Sequence, residues 1–282
     1  MRVTIRDLRQ MKRRGEKIPM MTAYDYTSAK LLEQAGIPLM LVGDSLGQVV
    51  LGYDSTVPVT VDEMVHHVKT VVRGTERAHV IGDMPFGSYH ADIPEAIRNA
   101  GRLLKDGGAQ SVKLEGGQHM AETVSRIVKS GIPVMGHIGL TPQSVNQLGG
   151  YRVQGKSLSA AMDLMEDARV LEEAGAYAIV LECVPAQLAK LISERVKVPT
   201  IGIGAGVGCD GQVQVFHDFL GLLSDFVPKH ARRYAELGET IKNAAAAYIS
   251  DVQEEAFPTE KESFTMSESV LHELEGRAFK PA

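Results

Sequence analysis

The sequence predicts an α/β protein built as one closed (β/α)8 barrel, with a helix ahead of the first strand and a helical extension after the last. Three observations predict it. Apolar runs of strand length recur eight times along the chain; small-residue turns with glycine or proline introduce most of them; and the stretches between them carry a helical period. Near-continuous apolar strands alternating with amphipathic helices mean a parallel sheet covered by helices. Eight such units favour closure over an open doubly wound sheet, which usually has fewer strands.

Taken in order, residues 4–14 (TIRDLRQMKRR) form a short amphipathic helix with Thr4 as cap and Gly15 as stop. The first strand is 18–23 (IPMMTA), and a helix over 28–34 follows it. The pattern then repeats as AGIPLMLVGDS (35–45), RAHVIGDMPF (77–86), GGAQSVKLEGG (107–117) and SGIPVMGHIG (130–139). Later copies are AGAYAIVLEC (174–183) and VKVPTIGIGAG (196–206), with GQVQVFHD (211–218) as the last strand. Helices are expected over 61–72 after Thr60, over 94–105 with Pro94 in the first turn, and over 120–128, 159–173 and 186–194. Residues 139–158 are rich in Gly, Gln and Ser without a clear period, which reads as a functional loop or lid. A long helix over 231–252 completes a catalytic domain of residues 1–252. Residues 253–282 form a polar tail, extended or partly disordered.

Composition excludes more than it identifies. The 282 residues are 44% hydrophobic and 23% charged, enough for a sizeable core. A net charge of −5 gives no reason to expect nucleic acid, and no apolar run reaches the roughly 18 residues of a membrane span. Two cysteines, Cys183 and Cys209, are too few for a disulfide scaffold or a four-cysteine zinc site, so a cytoplasmic protein is expected. Cys183 follows an apolar strand and reads better as a small core or rim residue than as a nucleophile.

In this fold the loops after the strands form the active face, so a polar residue at a strand's carboxyl end is a site candidate. Those ends carry Asp44 and Ser45, Asp83, Lys113 and Glu115, His137, and Glu182. Three acids on one mouth repel each other unless a cation sits among them, and an all-oxygen donor set suits a hard ion such as Mg2+. The competing reading makes each acid a helix cap or a partner for a nearby base. Lys113 and Glu115 are two apart in a strand and share a face. They are either an internal ion pair or a cation placed beside the metal for a substrate carboxylate or keto oxygen. Glu182 ends the run 178–181 in an apolar setting that makes a carboxylate a better base, or else it is structurally paired. His137 is a candidate for bonding a substrate oxygen or carrying a proton, or a satisfied core histidine. The glycines of GIGAG (202–206) lack the spacing of a dinucleotide fingerprint and are equally well explained by a tight turn. A metal, a cation and a shielded base together suit enolisation of an α-keto acid.

The segments MMTAYD (20–25), VGDSLG (42–47), DMPFGSY (83–89), VKLEGG (112–117), PVMGHIGLTPQS (133–144), GGYRVQGK (149–156), IVLECVP (179–185) and PTIGIGAGVGCDGQ (199–212) resemble, in order, the ketopantoate hydroxymethyltransferase family. The resemblance implies a barrel of the phosphoenolpyruvate/pyruvate type and a Mg2+-dependent aldol reaction. In it, 5,10-methylenetetrahydrofolate gives a one-carbon unit to 3-methyl-2-oxobutanoate. It further implies that Asp44 and Asp83 hold the metal, with Glu115 close by through a water. Ser45 and Lys113 bind the keto acid, and Glu182 is the base at C3. Assembly into a homodecamer is also implied. Two departures stand out: Gln214 replaces an aliphatic residue, and Glu262 replaces a histidine in the tail. The alternatives are another Mg2+-dependent enolate-forming lyase and a non-catalytic barrel that binds a keto acid or folate. The first is disfavoured by the lack of a Lys-Lys-Cys-Gly-His type loop, the second by the base at Glu182.

Overall fold

The computed structural model describes residues 1–222 and 227–277. Eight parallel strands close into a barrel in sequence order: β1 (Ile18–Thr22), β2 (Leu39–Val42), β3 (His79–Asp83), β4 (Ser111–Glu115), β5 (Val134–Gly139), β6 (Ala178–Glu182), β7 (Thr200–Ile203) and β8 (Gly211–Gln214). Pairing of β1 with β8, Met20 beside Val213, completes the ring. All eight sequence-expected strands are present.

The helices run α1 (Ile5–Arg14), α2 (Tyr26–Gln34), α3 (Leu46–Val49), α4 (Val61–Arg73), α5 (Ile93–Lys105) and α6 (Ala121–Lys129). They continue as α7 (Val145–Leu148), α8 (Leu158–Glu173), α9 (Ala186–Arg195), α10 (Phe216–Phe219), α11 (Leu237–Gln253) and α12 (Glu268–Glu275). Helices α3, α7 and α10 have four residues each, too short to show a period in the sequence. The longer ones start where local chemistry says they should. Thr60 accepts from Glu63 N–H while Glu63 reaches back to Thr60 N–H, a reciprocal cap for α4. Asp92 caps α5, and Gly15 ends α1 in the left-handed conformation.

Alternation along the strands sorts the apolar side chains into two cores. Leu39 and Leu41 join Ile18, Met20, Ile81, Met135, Val180 and Val213 in one cluster inside the barrel, whereas Met40 and Val42 belong to the second, beneath the helices. Helix α4 feeds that second core with Met64, Val65, Val68 and Val71, one face of a helix. The inner rows end in polar groups: Asp83 continues the row of Ile81, His137 that of Met135, and Glu182 that of Val180.

Helix α1 stoppers the opposite, amino-terminal end. Leu8 is buried in the inner cluster, with Val3, Ile5 and Met11 packed beside it. Lys12 Nζ donates to the carbonyls of Ser193 and Val198 and pairs with Asp210 at 2.8 Å. Below the inner core, His79 bridges Val3 O and Ser111 Oγ, and Ser111 meets Tyr177 at 2.9 Å.

The chain divides into two compact units, Met1–Tyr234 and Ala235–Ala282. The boundary expected at 252 falls inside the second unit, because α11 begins at Leu237 and groups with the residues that follow it. There the rings of Tyr248 and Phe257 meet at 5.6 Å. Where an extended or partly disordered tail is expected, Thr259 and Glu262 close a reciprocal cap around one 3-10 turn, and α12 follows. Residues 278–282 of that tail lie outside the described residues. No described helix is long and apolar enough to cross a membrane.

Candidate active site at the carboxyl ends of the strands

The residues singled out at the strand ends converge on one mouth. Lys113 Nζ reaches Asp83 Oδ1 and Oδ2 at 2.7 and 2.8 Å and lies 3.8 Å from Glu115 Oε1. The backbone N–H of Asp44 donates to Asp83 Oδ2 at 3.2 Å, which ties the second strand end to the third. The ring of His137 stands between two acids. Its Nδ1 is 3.5 Å from Glu115 Oε1 and its Nε2 is 3.3 Å from Glu182 Oε2, and neither nitrogen makes a well-aligned hydrogen bond. Ser45, in the turn into α3, meets the buried Tyr24 hydroxyl at 2.8 Å.

Burial is nearly complete: Asp44, Asp83, Lys113, Glu115 and His137 are all at most 5% exposed. The Glu182 side chain, at 15%, is the most open of the acids. Four carboxylates share one lysine, and the electrostatics show the surplus. Burial, reinforced by the charge of Asp83, pushes the Asp44 carboxyl up to about 7. Burial likewise holds Glu115 well above the usual range, with Lys113 opposing. Burial pulls the Lys113 ammonium down, but Asp83, Glu115 and Asp44 together outweigh it and raise its proton affinity. His137 is pushed below its ordinary value by burial and by Lys113, so it stands neutral.

Three further residues complete the cluster without having stood out in the sequence. Gln143, on the turn that opens the 139–158 loop, donates through Nε2 to Asp44 Oδ2 and Met84 O, and through its backbone N–H to Glu115 Oε2. Its Oε1 accepts from Tyr89 OH at 2.6 Å, and Tyr89 in turn accepts from Glu115 N–H. Tyr24, Tyr89 and Gln143 all fall inside the resembling segments. Reading strand ends for ionisable groups passes over them, since two precede or follow the ends and one is an uncharged amide.

Other sequence candidates resolve as packing. Cys183 has a backbone φ of 49°, and burial, then Glu182, pushes its thiol up to about 11, which leaves little thiolate near neutral pH. In GIGAG, a Cβ on Gly206 would lie 2.5 Å from Ala186 Cβ, so close packing explains the glycines. Gln214 accepts from Arg232 N–H at 2.7 Å, giving the polar departure in β8 a partner.

Among the described residues no three His, Cys, Asp or Glu side chains form a ready-made metal cage. The donors at hand are the carboxylate oxygens of Asp44 and Asp83, with Glu115 beside them. Asp44 and Glu115, both pushed up first by burial and further by neighbouring acids, with a single lysine among them, fit a divalent ion that keeps several positions for water and substrate.

Fold and site together define a (β/α)8 barrel enzyme with a carboxylate- and lysine-lined mouth. A family model described as ketopantoate hydroxymethyltransferase matches residues 2–260. The chain is 61% identical over 274 residues to the 3-methyl-2-oxobutanoate hydroxymethyltransferase of Dehalococcoides mccartyi strain 195, covering 97% of both proteins. It is 60% identical to that of Carboxydothermus hydrogenoformans, covering 97% of this chain and 99% of the relative. The chain belongs to the ketopantoate hydroxymethyltransferase family. Among solved structures the fold is similar to phosphonopyruvate hydrolase in complex with oxalate and Mg2+ (TM-score 0.59, 13% identity, 96% of this chain and 94% of that one). It is also similar to 2,3-dimethylmalate lyase, a member of the PEP mutase/isocitrate lyase superfamily (TM-score 0.56, 14% identity, 98% and 95%).

Proposed function

We propose that this chain transfers a hydroxymethyl group from 5,10-methylenetetrahydrofolate to 3-methyl-2-oxobutanoate, giving 2-dehydropantoate, as the first step of pantothenate biosynthesis. The observation that carries the reading is the placing of Glu182 across the same mouth as the Asp44, Asp83 and Lys113 cluster, linked to it through His137. The names of the relatives at about 60% identity point to the same reaction.

Asp44 and Asp83 would hold a Mg2+ ion, with Glu115 acting on it through a water. When bound, the ion supplies Lewis acidity that favours the enolate form of a keto acid. The remaining work falls to the side chains. Lys113 offers a buried ammonium to the keto acid's negative oxygens, and Ser45, its hydroxyl held by Tyr24, offers a hydrogen bond. Glu182 takes the C3 proton beside the neutral ring of His137, whose role is to face a substrate oxygen. Water opens the donor's methylene bridge, breaking both of its C–N bonds as N5 and N10 take protons, and leaves tetrahydrofolate and formaldehyde; C3 then bonds to the formaldehyde carbon, and the oxygen takes the proton that Glu182 removed to become the new hydroxyl. A ring-shaped homodecamer belongs to the same proposal, and sedimentation equilibrium tests it.

The test is deuterium exchange at C3 of 3-methyl-2-oxobutanoate in heavy water, with Mg2+ and without folate. Wild-type protein should exchange and Glu182→Gln should not. Absent exchange in folded wild type overturns the enolisation reading, and exchange surviving in Glu182→Gln removes Glu182 as the base.

A further inference from the structure

The keto-acid cluster accounts for one compartment of the mouth, and the structure holds another. The ends of β4 and β5 open onto a cavity of about 550 Å3, inside the range of roughly 300–1,000 Å3 usual for small-molecule sites. Asp44, Ser45, Asp83 and Lys113 do not line it. Glu115 and Gln143 do, so the two compartments share a wall. Gly139, also in that wall, pairs in register with Glu182 of β6. An occupant would therefore lie alongside the reacting centre without displacing the keto acid.

The lining says what the occupant is like. It contains two acids, Glu115 and Asp167, and no lysine or arginine, which disfavours phosphate or a second keto acid. Phe86 brings a ring that is 46% exposed, and Leu164 and Ile138 add apolar surface. Asp167 is set into the wall by local design. Gln118 donates to its Oδ1 from the backbone at 2.9 Å and from the side chain at 3.3 Å, and among the described residues no donor reaches its Oδ2. A Cβ on Gly117 would lie 2.0 Å from Asp167 Cγ, so only glycine leaves room for the carboxylate there. Gly116, at φ +120°, would bring a Cβ to 2.8 Å from His119 Nε2, another lining residue. Gly117 is thus fixed by the Asp167 wall of this cavity, whereas Gly116 is fixed first by its own left-handed backbone.

We propose that this cavity seats the pterin ring of the one-carbon donor, with Phe86 against its face and Asp167 accepting from its 2-amino and N3–H edge. A flat heterocycle needs a stacking surface, and two adjacent N–H donors are matched by one carboxylate taking both. The inference rests on the reading of a reduced folate as co-substrate given above.

The experiment is calorimetric titration of tetrahydrofolate into protein loaded with Mg2+ and 3-methyl-2-oxobutanoate, with pterin and lumazine, which lacks the 2-amino group, as competitors. Wild type should bind tetrahydrofolate and prefer pterin to lumazine. Asp167→Asn should weaken tetrahydrofolate at least tenfold and erase that preference, a change that loosened packing would not produce. Phe86→Ala removes an exposed ring, so folding is not at stake, and it should weaken binding about tenfold. In both variants C3 exchange, the half-reaction that uses no folate, should persist. Wild-type affinity and preference in both variants would overturn the assignment while leaving the co-substrate reading intact. Loss of exchange together with binding would also overturn it, by placing these residues in the keto-acid compartment. Wild type that exchanges C3 but binds no tetrahydrofolate would remove the co-substrate reading itself, and the assignment with it.

Discussion

The side-chain amide of Gln143 donates to Asp44 Oδ2 at 2.8 Å while its backbone N–H donates to Glu115 Oε2 at 3.0 Å. One uncharged residue on a loop thereby orients two acids on different strands. The same amide also holds Met84 O and Tyr89 OH, so every polar group of the side chain is engaged.

Gln143→Leu should therefore separate orientation from charge. It leaves several buried groups without partners, each costing about 1–3 kcal/mol. Groups that orient metal ligands typically carry 10- to 100-fold of metal affinity. Calorimetric Mg2+ or Mn2+ titration should show that loss, with Gln143→Glu no better because a carboxylate beside Asp44 adds charge where a donor is needed. Unchanged metal affinity in a folded Gln143→Leu protein would show that the contact does not orient Asp44.

Removing the lysine should destabilise the metal-free protein most. Lys113→Met leaves Asp83 buried without its partner, a change that typically costs about 3–5 kcal/mol. If Asp44 and Asp83 hold a divalent ion, Mg2+ will raise the melting temperature of Lys113→Met by more than it raises that of wild type. Equal shifts would argue against the ligand assignment.

His79 gives a pH dependence away from the mouth. Burial lowers its pKa from 6.5 to about 4, outweighing the contact with Val3 O, which acts in the opposite direction. The folded value lies below the unfolded one, so the unfolded chain binds the extra proton. Stability from this group is full above pH 6.5 and is lost as pH falls towards 4, by up to about 1.4 kcal/mol per pH unit. Denaturant titrations should show a shallower acid slope for His79→Gln than for wild type, and equal slopes would show that His79 titrates alike in both states.

Helix α1 should behave as structure, not as chemistry. Leu8→Ala opens space in the inner core, where such truncations cost about 2–5 kcal/mol. Urea unfolding should register that loss, and C3 exchange per folded molecule should remain at the wild-type rate. A folded variant with impaired exchange would show that the stopper shapes the mouth.

The barrel was readable from the chain because parallel strands buried on both faces are almost wholly apolar. Their ends are then marked by the first charge: Asp44 after Val42, Asp83 after Gly82, Glu182 after Leu181. The period of two correctly set Lys113 and Glu115 on one face. The same logic is blind to Gln143, an amide in an aperiodic loop whose importance comes from four long-range contacts. It is equally blind to Tyr24 and Tyr89, whose hydroxyls reach the site from ordinary packing positions. The expected boundary at 252 and the division after Tyr234 differ by helix α11, because a helical rhythm does not say which neighbours a helix keeps.

The pairing of Met20 with Val213 joins positions 193 residues apart in the chain, so the ring exists only once its last strand has been made. Bringing together ends so distant costs on the order of 5 kcal/mol of chain entropy, recovered in one cooperative event. A nascent chain on the ribosome therefore carries the neighbouring strands β2, β3 and β4, with their acids and lysine, well before β8, the strand that closes the ring around them. Fragments that stop short of β8 should lack the closed ring that buries the cluster.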